Sequence, residues 1–279
     1  MKLRVVDESE LADVSQEEFR RLGSLSPAEA RRMFRSGEWA RPNHFFCLDY
    51  TVTNLAIVPE SLAAEFLLFC NRNPRPLPVL EVTDPGDPHP GTLAPEADLR
   101  TDVSRYRVYR NGELTDEPCD ISSYWREDLV AFVLGCSRNF QRPFASANIA
   151  YRTLGAYTTD IVCTPAGQIH AHMVVTVRAF RSSEDAIRAI QITSRNPNSH
   201  GAPIHIGDPA LIGIKDIYQP DSGRHEEIAP LERGEVVLFW ACGTTMETAA
   251  IESKLPLMIT QRPLHQFITD RRVEEMFSF

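Results

Sequence analysis

The chain reads as an α/β protein that carries an inserted α+β block, and three observations predict this. Leu129 to Cys136 and Val236 to Cys242 are apolar runs of strand length, each breaking at a small polar turn and each followed by residues able to start a helix. Strands that are apolar at every position are expected to be buried on both faces, as in a parallel sheet covered by helices. Between them, from about Ile149 to Asp208, shorter strands, one helix and Gly- and Pro-punctuated connections take over. The expected boundaries follow: residues 1–147 and 234–279 for a discontinuous α/β domain, and 148–233 for the inserted α+β domain, a length sufficient for a small layer packed on its host.

Each element has a local cause. Ser26, Pro27 and Glu29 form a capping box with proline at the first helical position; Ala30, Met33 and Phe34 give an apolar stripe, and Gly37 supplies the stop. This predicts a docking helix. Pro59 opens a second helix with Leu62, Phe66, Phe69 and Cys70 on its buried face, ending before Pro74, and Leu77 to Val82 then reads as a strand. Asp84 to Glu96 holds too many prolines and glycines for a regular element, so a long surface loop is expected. Tyr106 to about Thr115 is a hairpin turning at Asn111-Gly112. Ile149 to Thr153 and His172 to Phe180 read as strands, Ser182 or Ser183 caps a helix to about Ile192, and Ile204 to Asp208 begins a stretch of short strands.

Composition narrows the function. Across 279 residues, 29 Lys and Arg face 38 Asp and Glu, a formal net charge of −9, which disfavours general binding of a phosphate backbone. No apolar run reaches the roughly 18 residues of a membrane span. The first twenty residues carry Asp7, Glu8, Glu10, Asp13, Glu17 and Glu18, unlike a secretory or transit peptide, so a cytoplasmic protein is expected. The six cysteines are irregularly spaced without a C-x-x-C pair, which suggests neither a disulfide framework nor a zinc knuckle.

The densest polar constellation is Asn198 to Pro209, where His200, His205 and Asp208 fall among Gly201, Pro203, Gly207 and Pro209. Acid and base chemistry suits it, because imidazole changes charge near neutral pH and a carboxylate sets its tautomer. A metal site from the same three residues ranks lower, since the spacing fits no standard zinc pattern; the structural alternative is a turn whose Asp caps backbone amides. Arg152 offers a planar two-donor fork for a carboxylate or, equally, an ordinary ion pair. His170 and His172 share a strand face, as ligands or simply as its polar side. Cys242 stands at a strand-to-helix turn, where a thiol is either activated or, more commonly, a buried structural group. The turns at Cys136-Ser137 and Cys242-Gly243 end strands and begin helices, so their amides suit a carboxylate, although two plain connections would look the same.

Several tracts resemble the D-glutamate cyclase family, whose bacterial members are hydro-lyases. They are Phe69-Cys-Asn-Arg-Asn-Pro74, Glu81 to Pro88, Asp98-Leu-Arg-Thr-Asp102, Gly135-Cys-Ser137, Tyr151-Arg-Thr153, Pro165-Ala-Gly167, His200 to Pro209, Phe239-Trp-Ala-Cys-Gly243 and Ile268-Thr-Asp270. The resemblance runs from about Gly37 to Asp270. It implies a three-layer α/β domain with a smaller two-layer α+β domain, and loss of water from D-glutamate to close 5-oxo-D-proline. It implies a small acidic substrate, while charge and hydropathy speak against nucleic acid and membrane; a homo-oligomer and a divalent metal ion stay open, and no cofactor is clearly implied. On this reading His205, oriented by Asp208, is the base and later acid, with His200 assisting and Cys242 counted with the catalytic group. Arg152 and Thr153 meet a substrate carboxylate, and amides around Cys136, Ser137 and Gly243 hold the oxyanion. The chain departs from the family pattern after the Gly-Cys-Ser turn: an aromatic, a small hydroxyl residue, Phe and an acid give way to Arg138, Asn139, Phe140 and Gln141. Thr244 to Glu247 and Gln261 to His265 also replace the usual continuations. A shifted substrate, or a silent binding protein for an acidic metabolite, is therefore kept beside D-glutamate cyclisation.

Overall fold

The computed structural model describes residues 14–221 and 228–276. Most of the acidic N-terminal stretch, up to Asp13, lies outside them. Among the described residues, two antiparallel sheets and six α-helices make a mixed α/β protein. The chain runs through α1 (Gln16–Gly23), α2 (Pro27–Arg35), β1 (Tyr50–Pro59), α3 (Glu60–Arg72), β2 (Val79–Val82), β3 (Tyr106–Arg110), β4 (Glu113–Asp116) and β5 (Leu129–Gly135). It continues through α4 (Gln141–Ser146), β6 (Tyr151–Val162), β7 (His172–Phe180), α5 (Ser183–Ser194), β8 (His205–Ile206), β9 (Val236–Ala241), α6 (Thr245–Glu252), β10 (Met258–Gln261) and β11 (Phe267–Arg272).

The capping signals have their expected form. Ser26 and Glu29 close a reciprocal capping box, and α2 docks through its buried Arg31, which reaches the Ile268 carbonyl at 2.9 Å and Asp270 at 2.8 Å. The hairpin β3–β4 turns at Asn111 and Gly112, both left-handed, with φ of 50° and 80°. Ser182 caps α5 by accepting from the Asp185 amide.

The first sheet has the order β2-β5-β1-β10-β3-β4. Strand β1 is central: β5 lies along one edge, and along the other β11 covers its first half and β10 its second. The second sheet is β6-β7-β9-β8. Every pairing within these sheets is antiparallel, so the parallel sheet expected from the two apolar runs is corrected. The runs reported burial correctly and topology wrongly. On β5, Val130, Phe132 and Leu134 pack with Phe66 and Phe69 of α3 and Met246 of α6, whereas Leu129, Ala131 and Val133 pack under Leu93, Ala97, Leu99 and Val103 of the irregular segment before β3. A Pro-rich segment thus covers the face that a layer of helices was expected to cover. Val236–Ala241, assigned from sequence to the first part, is bonded to β7 and β8 in the second sheet.

Candidate functional site

The two turns singled out in the sequence meet where the sheets abut, and glycines make the approach possible. Gly135 ends β5, and a Cβ there would overlap the Asn198 carbonyl oxygen, so the 198–200 segment lies directly on the strand end. A Cβ on Gly243 would overlap the Asn54 side chain. Asn54, on β1 opposite Leu134, donates to the Gly135 carbonyl at 2.6 Å and accepts from Gln261 at 2.8 Å, tying both turns to the first sheet. Downstream of the second turn, Glu247 is fully buried and gripped by Arg107 at 3.0 Å and Thr260 at 3.3 Å. Burial raises its carboxyl pKa, and Arg107 opposes that rise.

Arg178 of β7 faces this junction. It is 4% exposed, pairs in register with Thr153 and Leu238, and donates through Nη2 to the Ser137 hydroxyl at 3.1 Å and carbonyl at 3.3 Å. Its Nε and Nη1 are buried and have no hydrogen-bond partner among the described residues. Trp240 lies 5.1 Å from the guanidinium, Phe140 5.8 Å and Tyr151 6.0 Å, so the cation is caged by aromatic faces in place of a carboxylate. Burial lowers its pKa, but an arginine remains charged. An uncompensated buried charge is costly, by several kcal/mol in general, and its natural complement is an anion.

His200 lies beside it in left-handed backbone (φ 78°), followed by left-handed Gly201 (φ 65°). It is 1% exposed, and its Nδ1 donates to the Arg75 carbonyl at 2.7 Å, an assignment that leaves Nε2 as the lone-pair nitrogen. Burial pushes its pKa down to about 4; the Arg75 carbonyl opposes the shift, and Arg178 and Arg75 add to it. The ring is therefore neutral at pH 7. Cys136 is buried and its thiol is pushed up to about 11, with the Arg138 amide and the charges of Arg138 and Arg178 pulling the other way. Cys242 is partly exposed and accepts from the Thr244 hydroxyl at 3.1 Å.

Other expected site residues lie elsewhere. The His205 ring donates to the backbone carbonyl of Asp208 at 2.8 Å, while the Asp208 carboxylate caps the Ala210 amide at 2.9 Å. The carboxylate therefore does not orient the imidazole. The His205 ring packs on Phe239, which pairs with Val177, whereas Arg178 pairs with Leu238; alternation puts the two on opposite faces of the sheet. A ligand set of His200, His205 and Asp208 is not assembled, and among the described residues no group of three or more His, Cys, Asp or Glu is arranged to hold a metal ion. Arg152 is spent: Glu235 binds it twice, at 2.9 and 2.6 Å, and the carbonyls of Ala229 and Pro230 take further donors. Thr153, opposite Arg178, is exposed. His172 pairs with Glu252, and His170 is tied to Ser253. Arg178 was missed in the sequence, although the signal was present: an arginine shares one strand face with Val174 and Phe180, an expensive placement without a use.

A surface cleft adjoins the first turn, lined by His44, Tyr50, Arg138, Asn139, Gln141 and Arg142 among others. Asn139 fixes its wall by clamping both backbone groups of Val52 at 2.9 and 3.1 Å and donating to Ser199 at 3.0 Å. Gln141 thus stands in the cleft at the position where the resemblance led to an acid.

Comparison with known proteins is consistent along most of the chain. The family model for D-glutamate cyclase matches residues 130–270. A Geobacillus kaustophilus protein named as a hydro-lyase is 48% identical over 258 residues, 90% of this chain and 97% of its own length. Similarly named proteins of Rubrobacter xylanophilus and Stutzerimonas stutzeri are each 46% identical, over 91% and 90% of this chain and 99% and 96% of their own lengths. Among the described residues no helix is long and apolar enough to cross a membrane.

Proposed function

The chain belongs to the D-glutamate cyclase family of hydro-lyases, and from that premise we propose that it removes water from a small amino dicarboxylate, D-glutamate or a near relative, to close a lactam. The observation that carries this reading is Arg178, a buried guanidinium whose Nε and Nη1 have no partner, and which has no acidic partner, among the described residues, beside a neutral histidine. A substrate carboxylate supplies the missing charge. The excess of acid over the whole chain does not oppose this, because a local cation in a low-dielectric site governs a small ligand.

The chemistry balances without an external acid. The substrate ammonium sheds two protons, the nitrogen bonds to the distal carboxyl carbon, one C–O bond breaks, and that oxygen leaves with both protons as water. The site therefore needs to relay protons and to hold charge. Arg178 with the Ser137 hydroxyl stabilises the oxygen that becomes anionic as nitrogen adds, a role typically worth about 3 to 4 kcal/mol per donor. His200 Nε2, kept as a lone pair by the Arg75 carbonyl, accepts from the amine. Gln141 contributes an amide to the cleft, so on this reading the proton transfers fall to His200 and not to a group at position 141.

Incubation of the full chain with D-glutamate, L-glutamate and related dicarboxylates, followed by chiral chromatography, tests the reading. A lactam from one enantiomer, abolished in Arg178→Gln, is expected. Tight binding with no product from any of them would mark a silent binding protein instead.

A further inference from the structure

We propose that Asn43, Arg105 and His265 form a second ligand site, which takes a small carboxylate carrying an N–H group. Three segments build it. The connection between β10 and β11 folds back on itself, with the His265 amide on the Arg262 carbonyl at 2.9 Å and Leu264 in left-handed backbone at φ 70°. The Arg262 amide donates to the Arg105 carbonyl at 2.9 Å. Asn43 joins through its amide to the Leu264 carbonyl at 2.9 Å and through Nδ2 to the Gln266 carbonyl at 2.8 Å. These bonds fix the backbone that carries Arg105 and His265, and the side-chain amide of Asn43.

The polar atoms they enclose are unusual in having no partner. His265 is 0% exposed; its Nδ1 meets the Ser104 hydroxyl at 2.9 Å, and its Nε2 is buried with no partner among the described residues. Arg105 Nε, His44 Nδ1, Asn43 Oδ1 and Gln266 Oε1 are in the same condition. Buried polar atoms are almost always hydrogen-bonded, so a group of them in one place points to a ligand. Charge agrees. Glu117 is committed to Arg107 at 2.9 Å and to Arg262 at 3.6 Å, Glu247 is committed to Arg107 at 3.0 Å, and Arg105 has no ion pair with any described residue. The surplus is positive, and the charges of Arg262, Arg105 and Arg107 all bear on His265.

The donor and acceptor pattern selects the ligand. We take the tautomer in which the Ser104 hydroxyl donates to Nδ1; His265 then offers an Nε2–H and Arg105, whose charge acts on that ring, an Nε–H, two donors that suit a carboxylate. Asn43 Oδ1 accepts only, since the Nδ2 of that amide is spent on the Gln266 carbonyl, and it calls for an N–H on the ligand. An anion with no donor of its own, such as chloride or acetate, would leave it unmet. His44 also lines the surface cleft, so the site lies next to solvent. Its side chains come from the segment before β1, the residue before β3 and the β10–β11 connection, whereas Arg178 stands on β7 of the second sheet.

The test is a titration of the full chain, 15N-labelled in its histidine rings, with acetate and with N-acetylglycine. Saturable movement of the His265 Nε2 signal is expected with both, with N-acetylglycine binding about tenfold more tightly through the extra bond to Asn43. Arg105→Gln, at a partly exposed position, should weaken both by at least about tenfold. Arg178→Gln should leave both unchanged while abolishing lactam formation, so that failure of this site and failure of the proposed reaction are told apart. An unmoved His265 signal, wild-type affinity in Arg105→Gln, or loss of binding in Arg178→Gln would each overturn the proposal.

Discussion

Arg152 and Arg178 lie on adjacent antiparallel strands, one register position apart, yet their surroundings differ completely. Arg152 sits across from Ala179 with its donors distributed over Glu235 and two backbone carbonyls. Among the described residues Arg178 hydrogen-bonds Ser137 alone and otherwise faces aromatic rings, with Nε and Nη1 unpaired. The same division separates His205 and Asp208, which satisfy local turn bonds, from His200, held neutral beside Arg178. A satisfied polar group maintains the fold, and a buried unsatisfied one is available for chemistry.

The sharpest way to break this comparison is to remove the two arginines in turn. Arg178→Gln is expected to lower turnover by about a thousandfold, whereas Arg152→Gln keeps it within about threefold and costs about 1 kcal/mol of stability in urea titration. Equal losses of turnover would end the distinction. Next come two glycines. Gly135→Ala forces a methyl into the Asn198 carbonyl and should cost about 2 to 3 kcal/mol with loss of turnover. Gly207→Ala, in left-handed backbone (φ 97°) with nothing near its Cβ, should cost only about 1 kcal/mol of conformational strain and spare activity.

Acid provides a third test. His200 binds its proton at about 4 in the folded chain and near 6.5 when unfolded, so between those values the unfolded state holds more protons. Stability is therefore lost as pH falls from about 6.5 to about 4, on the order of 3 kcal/mol from this group. Buried His44 and His265 act in the same direction. A 13C-histidine titration should show His200 neutral until near pH 4, and an ordinary midpoint would remove it from the site. The smallest effects belong to the satisfied loop: Asp208→Ala should lose a cap worth about 1 kcal/mol, and His205→Ala should keep turnover within about threefold.

Much of the fold was legible because its causes are local. The capping box at Ser26, the Asn111-Gly112 turn and the Ser182 cap each depend on neighbours within four residues. Strand direction does not, and the apolar runs of β5 and β9 recorded only that both faces are covered. The two turns were legible for an incorrect reason: they meet because two antiparallel sheets abut, not because parallel strands end together. His205 and Asp208 attracted attention through proximity in sequence, whereas pairing in space gave one a backbone carbonyl and the other an amide. Arg178 was obscured because an isolated arginine in a strand looks like a surface residue until the register buries it.

The arrangement of the first sheet bears on synthesis as well. Strand β1 is complete early, but β10 and β11, which close one of its edges, leave the ribosome roughly 200 residues later, about 10 to 40 s at ordinary elongation rates. For that interval an apolar central strand presents unpaired amides and carbonyls to every other nascent chain nearby. The second sheet is translated entirely within the same wait, so one edge of the central strand is still open when that sheet is complete.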